Sequence, residues 1–337
     1  MNPDDETIYR FDKSNYRKLL ELAPQDVREG YKQDFPDVED YAALSTTTRV
    51  VMCGMGGSAI ASKLLQSYLD DCDITVVQNY DFPFSLRGED LVIIHSYSGN
   101  TEEAVSCYRK ARRQNANVVV LTTGGRLGRS IKNSRVPRVE LPKGRPPRTA
   151  LYYSFFTLLR MLEQLGLTRE HSTEVDLLTD YLHKNMLASH GEKLAEKLDK
   201  KMPVIYTSEQ YEPVGYRWKT QFNENTKILS IHNVLPEANH NELLGYQGLE
   251  VDTHTVLLTM DDDHNRVKKR FSLTKKHIRK QGQTVSEIRL KGKRLVKMFG
   301  GVVLGDWTSY YAALQRKKDP SNIEQLEAFK EDMGKFV

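Results

Sequence analysis

Few features of this 337-residue chain suggest a secreted, membrane-bound or disulfide-stabilised protein. Its three cysteines, Cys53, Cys72 and Cys107, are odd in number and lack a paired spacing, which argues against a disulfide framework. No apolar run approaches the roughly 18 residues of a membrane span. Residues 1–6 are acidic and polar, unlike a signal peptide. We therefore expect a cytoplasmic globular protein without a membrane partner, long enough for two domains.

The net charge is +4, and the positive excess is concentrated between Arg266 and Lys297. A run of this kind is typical of a solvated helix face with charged flanks. It could also be a nucleic-acid patch, but no recognition motif accompanies it. We expect no nucleic-acid partner.

Short apolar runs alternate with helical segments through the first half of the chain. This alternation predicts an α/β fold with a doubly wound parallel sheet and helices on both faces. The five predicted strands are residues 49–53, 74–77, 91–94, 117–121 and 138–141. Helices are expected at residues 14–22, 23–34, 59–69, 102–114 and 150–165.

The second half resembles a diverged copy of the first. Its predicted strands are residues 202–207, 227–229, 255–260 and 284–290, and its predicted helical regions are residues 175–198, 211–223, 302–315 and 322–335. We expect an N-terminal helical extension at residues 1–44, a phosphate-binding domain at residues 45–170, and a second domain at residues 171–337.

Two loops rich in small residues follow predicted strands of the first half. They are residues 54–58 (GMGGS) and residues 96–101 (SYSGNT). Glycines let the backbone approach an anion, helix N-termini supply free N–H donors, and hydroxyls add directed hydrogen bonds. The carboxyl ends of neighbouring parallel strands are also where such sheets bind ligands. The sequence predicts a phosphate site formed by Gly57, Ser58, Ser96, Ser98 and Thr101.

A dinucleotide site is the main competing interpretation of the first loop. Gly54, Gly56 and Ala59 satisfy the GxGxx[G/A] pattern between a strand and a helix. That site also needs an acidic residue at the end of the second strand, but the next acid is Asp81, inside a turn-like segment. This absence weakens the dinucleotide interpretation. The GxxxxGK[ST] pattern of an ATP-binding loop does not occur.

The two loops, the second extended to residues 96–103, resemble the signature of the sugar isomerase (SIS) domain. Four further stretches resemble the bifunctional phosphoglucose/phosphomannose isomerases of archaea and some bacteria: residues 146–148 (PPR), 223–225 (NEN), 236–242 (PEANHNE) and 304–307 (LGDW). The resemblance spans roughly residues 45–337. It implies two SIS domains, each with a parallel five-stranded sheet, in a homodimer. The implied reaction converts glucose 6-phosphate and mannose 6-phosphate reversibly to fructose 6-phosphate through a cis-enediolate, without a metal or cofactor.

The same resemblance implies a role for each of several side chains. Glu224 is the base that moves a proton between C1 and C2, and His240, reaching in from the neighbouring subunit, opens the sugar ring. Arg148 faces the negative charge of the enediolate, and Lys330 assists at the ring oxygen. A small hydroxyl residue, for which Ser321 is the candidate, leaves room for either C2 epimer. Glu237 and Glu242 are expected to orient His240.

Two other functions stay open at this point. A non-catalytic SIS-domain sensor of sugar phosphates is one, although residues 1–44 show no helix-turn-helix segment. A relative acting on amino-sugar phosphates is the other. A metal site at residues 261–264 (DDDH) is not favoured, because consecutive acids point in different directions and lack the spacing of a calcium loop.

Overall fold

The computed structural model describes residues 10–35, 44, 46–47 and 49–336, and these form two compact units. One unit contains residues 22–175 and Phe336; the other contains residues 10–21 and Asp176–Lys335. The acidic residues 1–6 lie outside the described residues. So does part of the N-terminal extension predicted at residues 1–44. The domain limits at residues 44 and 170 stay a prediction.

Two short helices open the described chain, α1 (Tyr16–Glu21) and α2 (Ala23–Tyr31). The Asp12 carboxylate accepts hydrogen bonds from the backbone N–H of Tyr16 at 2.6 Å and of Arg17 at 2.9 Å, which satisfies donors left free at the start of α1. Both helices confirm the prediction, with fewer residues than expected.

The first unit contains a parallel five-stranded sheet in the order β2-β1-β3-β4-β5. Its elements are β1 (Val50–Cys53), α3 (Gly56–Tyr68), β2 (Ile74–Val77), β3 (Leu91–His95), α4 (Glu102–Arg113), β4 (Asn117–Thr122), α5 (Gly125–Ile131), β5 (Arg138–Glu140) and α6 (Leu151–Gln164). The strand order reverses between β1 and β3, which is the position where doubly wound sheets bind their ligands. The predicted fold of this half is confirmed.

Every residue of β1 and β3 is buried. Strands covered by helices on both faces have continuous apolar sequences, which is why both were recognisable in the chain. The two strands pair in register, with Cys53 opposite Ile94. The loops that follow them therefore leave the sheet at the same edge.

The second unit contains a parallel sheet in the order β7-β6-β8-β9, the same winding as the first. Its elements are α7 (Ser172–Lys184, which begins before the division at residue 175), α8 (Leu187–Lys197), β6 (Met202–Ser208), α9 (Glu212–Gln221), β7 (Ile231–Leu235), α10 (Glu242–Gly245), β8 (Thr253–Met260), α11 (Asn265–Lys280), β9 (Thr284–Leu290), α12 (Arg294–Gln315) and α13 (Glu324–Asp332). The predicted repeat of the first half is thus visible in the topology.

Three details of this half differ from the prediction. In the described residues its sheet has four strands, where the resemblance implied five. The strand predicted at residues 227–229 is wrong: Lys227 has a left-handed φ of 59°, and the strand begins only at Ile231. The helical region predicted at residues 175–198 is two helices, α7 and α8.

The long helix α12 is the centre of the second unit, because residues 295–314 are all buried. A helix that is apolar on every side belongs in a protein core or in a membrane. None of the helices in the described residues is both long enough and apolar enough to cross a membrane. The core position of α12 explains its composition.

Candidate active site

The two small-residue loops meet at the carboxyl edge of β1 and β3. A Cβ placed on Gly54 would lie 2.8 Å from the backbone oxygen of His95 and 3.1 Å from the Cβ of Ser58. The end of β3 and the first turn of α3 are therefore in contact, and glycine is needed at position 54 for this approach. Ser58 and Ser96 are buried, and Ser98 is exposed.

Hydrogen bonds within the second loop fix its shape. The Ser96 hydroxyl donates to the Thr101 hydroxyl at 3.0 Å and accepts from the Gly99 N–H at 3.1 Å. The Ser98 hydroxyl accepts from the Asn100 N–H at 3.2 Å. A hydroxyl that accepts one hydrogen bond keeps its own proton to donate, so Thr101 and Ser98 can still bind an anion.

Arg148 lies beside the first loop. It belongs to a 3₁₀ turn, Pro147–Ala150, and its side chain is buried. A Cβ on Gly57 would come within 3.0 Å of the Pro147 carbonyl oxygen and 3.2 Å of the Arg148 Cα. The structure therefore brings Arg148 together with the loop that was predicted to bind phosphate, a proximity that spacing along the chain does not reveal.

Tyr97 connects the second loop to the segment that leads to Arg148. Its hydroxyl donates to the Pro142 carbonyl at 2.7 Å and accepts from the Arg145 N–H at 3.2 Å. The Arg145 guanidinium is paired with Asp26. Burial raises the pKa of Asp26, and this ion pair opposes the rise. The sequence reasoning missed both Tyr97 and Arg145, because each acts by holding a loop rather than by a recognisable motif.

His95, the last residue of β3, was also missed. It is 1% exposed, and neither ring nitrogen has a hydrogen-bond partner in the described part of the chain. Burial lowers the pKa of His95 to about 4, against a weaker opposing effect of the Ser58 backbone. The side chain is therefore neutral near pH 7 and adds no charge to the loops.

Glu224 lies in the second unit, in a π-helical turn, Phe222–Thr226, that continues α9. Turns of this kind are rare and are frequently found at functional sites. A hydrogen bond links the turn to α12: the Asn225 side-chain amide donates to the Ser309 hydroxyl at 3.0 Å. Both residues are buried. Glu224 itself is half-buried, so it is not a fully solvated loop residue.

The turn forms one wall of a cavity of about 600 Å³. Glu224 and Asn223 line this wall, and Lys317, Lys318 and Asp319, beyond the end of α12, line another. A volume of this size suits a small organic ligand. Three carboxylates and three lysines of the described residues line this space, so it suits a polar ligand and carries no net excess of either charge.

His240 and Lys330 belong to the same unit but do not line that cavity among the described residues. His240 ends a 3₁₀ turn, Glu237–His240, and is exposed; Lys330 is exposed on α13. Ser321 donates a hydrogen bond to Asp319, which lines the cavity. The individual placement of each residue is clear, but its role stays a prediction.

Glu237 and Glu242 have partners other than His240. The Glu237 carboxylate accepts from the Asn241 amide at 3.1 Å. That of Glu242 accepts from the Tyr206 hydroxyl at 2.5 Å and from the Asn233 amide at 2.6 Å. In the described residues neither glutamate is hydrogen-bonded to His240, and their role in orienting it through neighbouring groups stays a prediction.

The carboxylates of the acidic cluster after β8 bind other side chains of the protein. Lys297 binds Asp261 at 2.9 Å and Asp262 at 2.6 Å, and Asp263 accepts from the Ser208 hydroxyl at 2.5 Å. A hydrogen bond from the Gly292 N–H, followed by Lys297, lowers the pKa of Asp261. In the residues that the structure describes, no group of three or more His, Cys, Asp or Glu side chains could hold a metal.

The geometry also bears on the dinucleotide alternative. Asp81, the next acid after β2, forms an ion pair with Lys110 at 2.6 Å. It also lies beyond Val77, the last residue of β2, and not at the strand end where a ribose site needs its acid.

Two parallel doubly wound sheets, with hydroxyl-rich loops at the switch point of the first, define an α/β protein of the SIS type. Residues 188–333 match the model of the bacterial phospho-glucose isomerase C-terminal SIS domain. Two curated relatives that are at least 34% identical over most of this chain place it in the family of bifunctional phosphoglucose/phosphomannose isomerases.

Relatives support this membership over most of the chain. It is 35% identical over 308 residues to the bifunctional phosphoglucose/phosphomannose isomerase of Caldicellulosiruptor bescii, covering 86% of this chain and 90% of the relative. It is 34% identical over 323 residues to the enzyme of the same name from Aquifex aeolicus, covering 92% and 98%. A glucose-6-phosphate isomerase like protein from Thermus thermophilus has the same fold, with a TM-score of 0.63, 17% identity and coverage of 98% and 99%.

Proposed function

We propose that this chain catalyses the reversible isomerisation of glucose 6-phosphate and mannose 6-phosphate to fructose 6-phosphate. The observation that carries the proposal is the position of Glu224, the predicted base, on a π-helical turn at the wall of a 600 Å³ cavity in a member of this isomerase family. A buried turn that holds a carboxylate at a cavity suits proton transfer better than passive binding.

The phosphate of the substrate is assigned to the loops after β1 and β3. Gly57 supplies a backbone N–H group at the start of α3, and Ser58, Ser98 and Thr101 supply hydroxyls. Ser96 holds the Thr101 hydroxyl in place by its own hydrogen bond. The positive end of a helix and directed hydrogen bonds together favour a dianion. Free sugars should bind poorly, because the buried donors would then lack partners.

Glu224 is assigned the proton transfer between C1 and C2. A carboxylate in this role takes the proton from one carbon and returns it to its neighbour, which leaves no net change in the enzyme. General base catalysis of this kind contributes on the order of 10²–10⁴ to the rate. No metal or redox cofactor is required by these steps.

Three basic side chains are assigned the remaining steps of the reaction. Arg148 stabilises the negative oxygen of the enediolate, and preorganised donors of this type are worth about 3–4 kcal/mol. His240 protonates the ring oxygen on opening, and Lys330 assists there. The exposure of His240 is consistent with its acting in a partner subunit, so we infer a homodimer. The three free cysteines favour a cytoplasmic location.

A coupled assay of the purified protein tests the proposal. Formation of fructose 6-phosphate from both aldose phosphates, without added metal, is the expected result. Turnover of neither would contradict it, and saturable binding without turnover would indicate a sensor. Release of ammonia from glucosamine 6-phosphate in place of isomerisation would indicate an amino-sugar enzyme. Sedimentation at micromolar concentration checks the dimer.

A further inference from the structure

A second, larger cavity of the four-stranded unit has no part in the proposed reaction. Its volume is about 830 Å³, and α11, β9 and the end of β8 line it. We call it the basic groove. Met260, Phe271 and Leu290 are its buried apolar residues, and Thr259 and Ser272 add hydroxyls. The groove therefore has a dry floor and a polar rim, as small-molecule sites commonly do.

The charge of the basic groove sets it apart from the rest of the chain. Seven lysine and arginine side chains line it, against the two carboxylates of Asp261 and Glu287. Its net charge of +5 exceeds the +4 of the whole protein. The positive excess of the sequence is thus gathered around one concave space, where the fields of the cations add and attract anions.

The two carboxylates neutralise only part of this charge. Glu287 binds both Lys275 at 2.8 Å and Arg289 at 2.7 Å. The pair with Lys275 joins α11 to β9, whereas Arg289 lies on the same strand as Glu287. Among the described residues, two more cations of the groove bond to neutral backbone carbonyls and to no carboxylate: Lys268 to that of Asp261 at 2.6 Å, and Arg279 to that of Val285 at 3.3 Å.

Lys276, Lys280 and Lys291 complete the lining, and all three are exposed. No carboxylate in the described ranges of the chain pairs with any of them. Lys276 and Lys280 are four residues apart on one face of α11, and Lys291 directly follows β9. Three uncompensated ammonium groups on two walls of one groove can converge on a ligand of several negative charges.

We propose that the basic groove binds a polyphosphate chain, supplied by a nucleoside triphosphate or by inorganic polyphosphate. A single phosphate is small for 830 Å³ and for cations spread over two elements. A nucleic acid fits less well, because Phe271, the one aromatic side chain among the described residues of the lining, is 2% exposed and offers no platform for stacking bases. The volume is that of a site for a small organic molecule.

Calorimetry on the full chain with tripolyphosphate and with ATP tests this proposal. Saturating glucose 6-phosphate is included, so that the loops proposed for sugar phosphate are occupied. The groove variant carries Lys276→Gln, Lys280→Gln and Lys291→Gln. The control variant carries Lys13→Gln, Lys18→Gln and Lys193→Gln, three exposed lysines of the same unit outside the groove. Both variants lose three positive charges. If the triple groove variant does not fold, the single Lys276→Gln variant replaces it in the same measurement.

We expect saturable binding of both probes, weakened about tenfold or more in the groove variant and less than about twofold in the control. Tighter binding of ATP than of tripolyphosphate identifies the nucleotide as the source, and equal binding identifies the phosphate chain alone. The proposal is overturned if neither probe binds at near-physiological salt, if both variants weaken binding equally, or if glucose 6-phosphate displaces the probe. Tighter binding of a single-stranded RNA oligomer, lost in the groove variant, would make the groove a nucleic-acid site instead.

Discussion

The guanidinium of Arg217 makes two hydrogen bonds of 3.0 Å to the carboxylate of Asp306, and both side chains are almost completely buried. Arg217 lies on α9, shortly before the π-helical turn that carries Glu224, and Asp306 lies on α12. A second link between the same two helical segments is the hydrogen bond from Asn225 to Ser309. The turn proposed to hold the base is therefore fastened to the most buried helix of its unit.

Asp306→Asn should lower the free energy of unfolding by about 3–5 kcal/mol, because it leaves the Arg217 charge buried without its counter-ion. Chemical denaturation measures this loss. Glu21→Gln, which breaks the exposed pair with Arg17, is the control and should change stability by less than about 0.5 kcal/mol. Equal effects of the two substitutions would contradict the structural role of the buried pair.

Gly57→Ala should lower kcat/KM by about 10- to 100-fold, because the added Cβ would push the Pro147–Ala150 turn and Arg148 from the first loop. Gly88→Ala is the matched control, since a Cβ there meets nothing within 4 Å. Steady-state kinetics with glucose 6-phosphate measures both variants. Unchanged kinetics of Gly57→Ala would show that the close approach of this turn to the loop is unimportant for the reaction.

Because His95 is buried in its neutral form, the protein should lose stability in mild acid. Burial lowers its pKa in the folded state from 6.5 to about 4. Between these values the unfolded chain binds a proton that the folded chain does not, so the free energy of unfolding falls as the pH falls. The loss from His95 between pH 7 and pH 4.5 should be about 2–3 kcal/mol.

Denaturation of a His95→Leu variant at these two pH values measures the effect, since the variant should lose this part of the pH dependence. Burial also lowers the pKa of His254 to about 4, so some dependence will remain. The exposed His183 is the control position, and His183→Leu should behave as the parent does. An identical acid loss in His95→Leu and the parent would show that His95 is not the source.

The elements that the sequence predicted correctly are those whose signal is local. β1 and β3 are buried along their whole length, so their apolar runs stood out. The strand β7 was misplaced because it is half-buried and contains His232 and Asn233, which break the apolar pattern. An edge strand of this kind owes its place to pairing with β6 rather than to its own composition.

The candidate site likewise contains features that a local sequence pattern predicts and features that depend on tertiary contacts. Hydroxyls and glycines in the two loops have a local signature, and family resemblance supplied Glu224, His240 and Arg148. The π-helical turn could not be predicted, since it depends on the contact of Asn225 with Ser309, 84 residues away. Nor could the approach of Arg148 to Gly57, which exists only after the chain has folded.

Mixing two inactive variants tests the proposed sharing of sites in a dimer. Glu224→Gln and His240→Ala should each be inactive alone. If His240 acts in the partner's site, each mixed dimer contains one site with both native residues. Random reassociation of equal amounts should then restore about a quarter of the parent activity by symmetry. No recovery, with mixed dimers shown to form, would place both residues in the same subunit's site.

The most direct test of the central claim is proton exchange at C2 of glucose 6-phosphate in D₂O, followed by ¹H NMR. Proton transfer by Glu224 through an enediolate predicts deuterium at C2 with the parent protein. Glu224→Gln should bind the substrate and exchange about 10²–10⁴ times more slowly, whereas Glu250→Gln, at an exposed position, should match the parent. Exchange and isomerisation by Glu224→Gln at the parent rates would contradict the account.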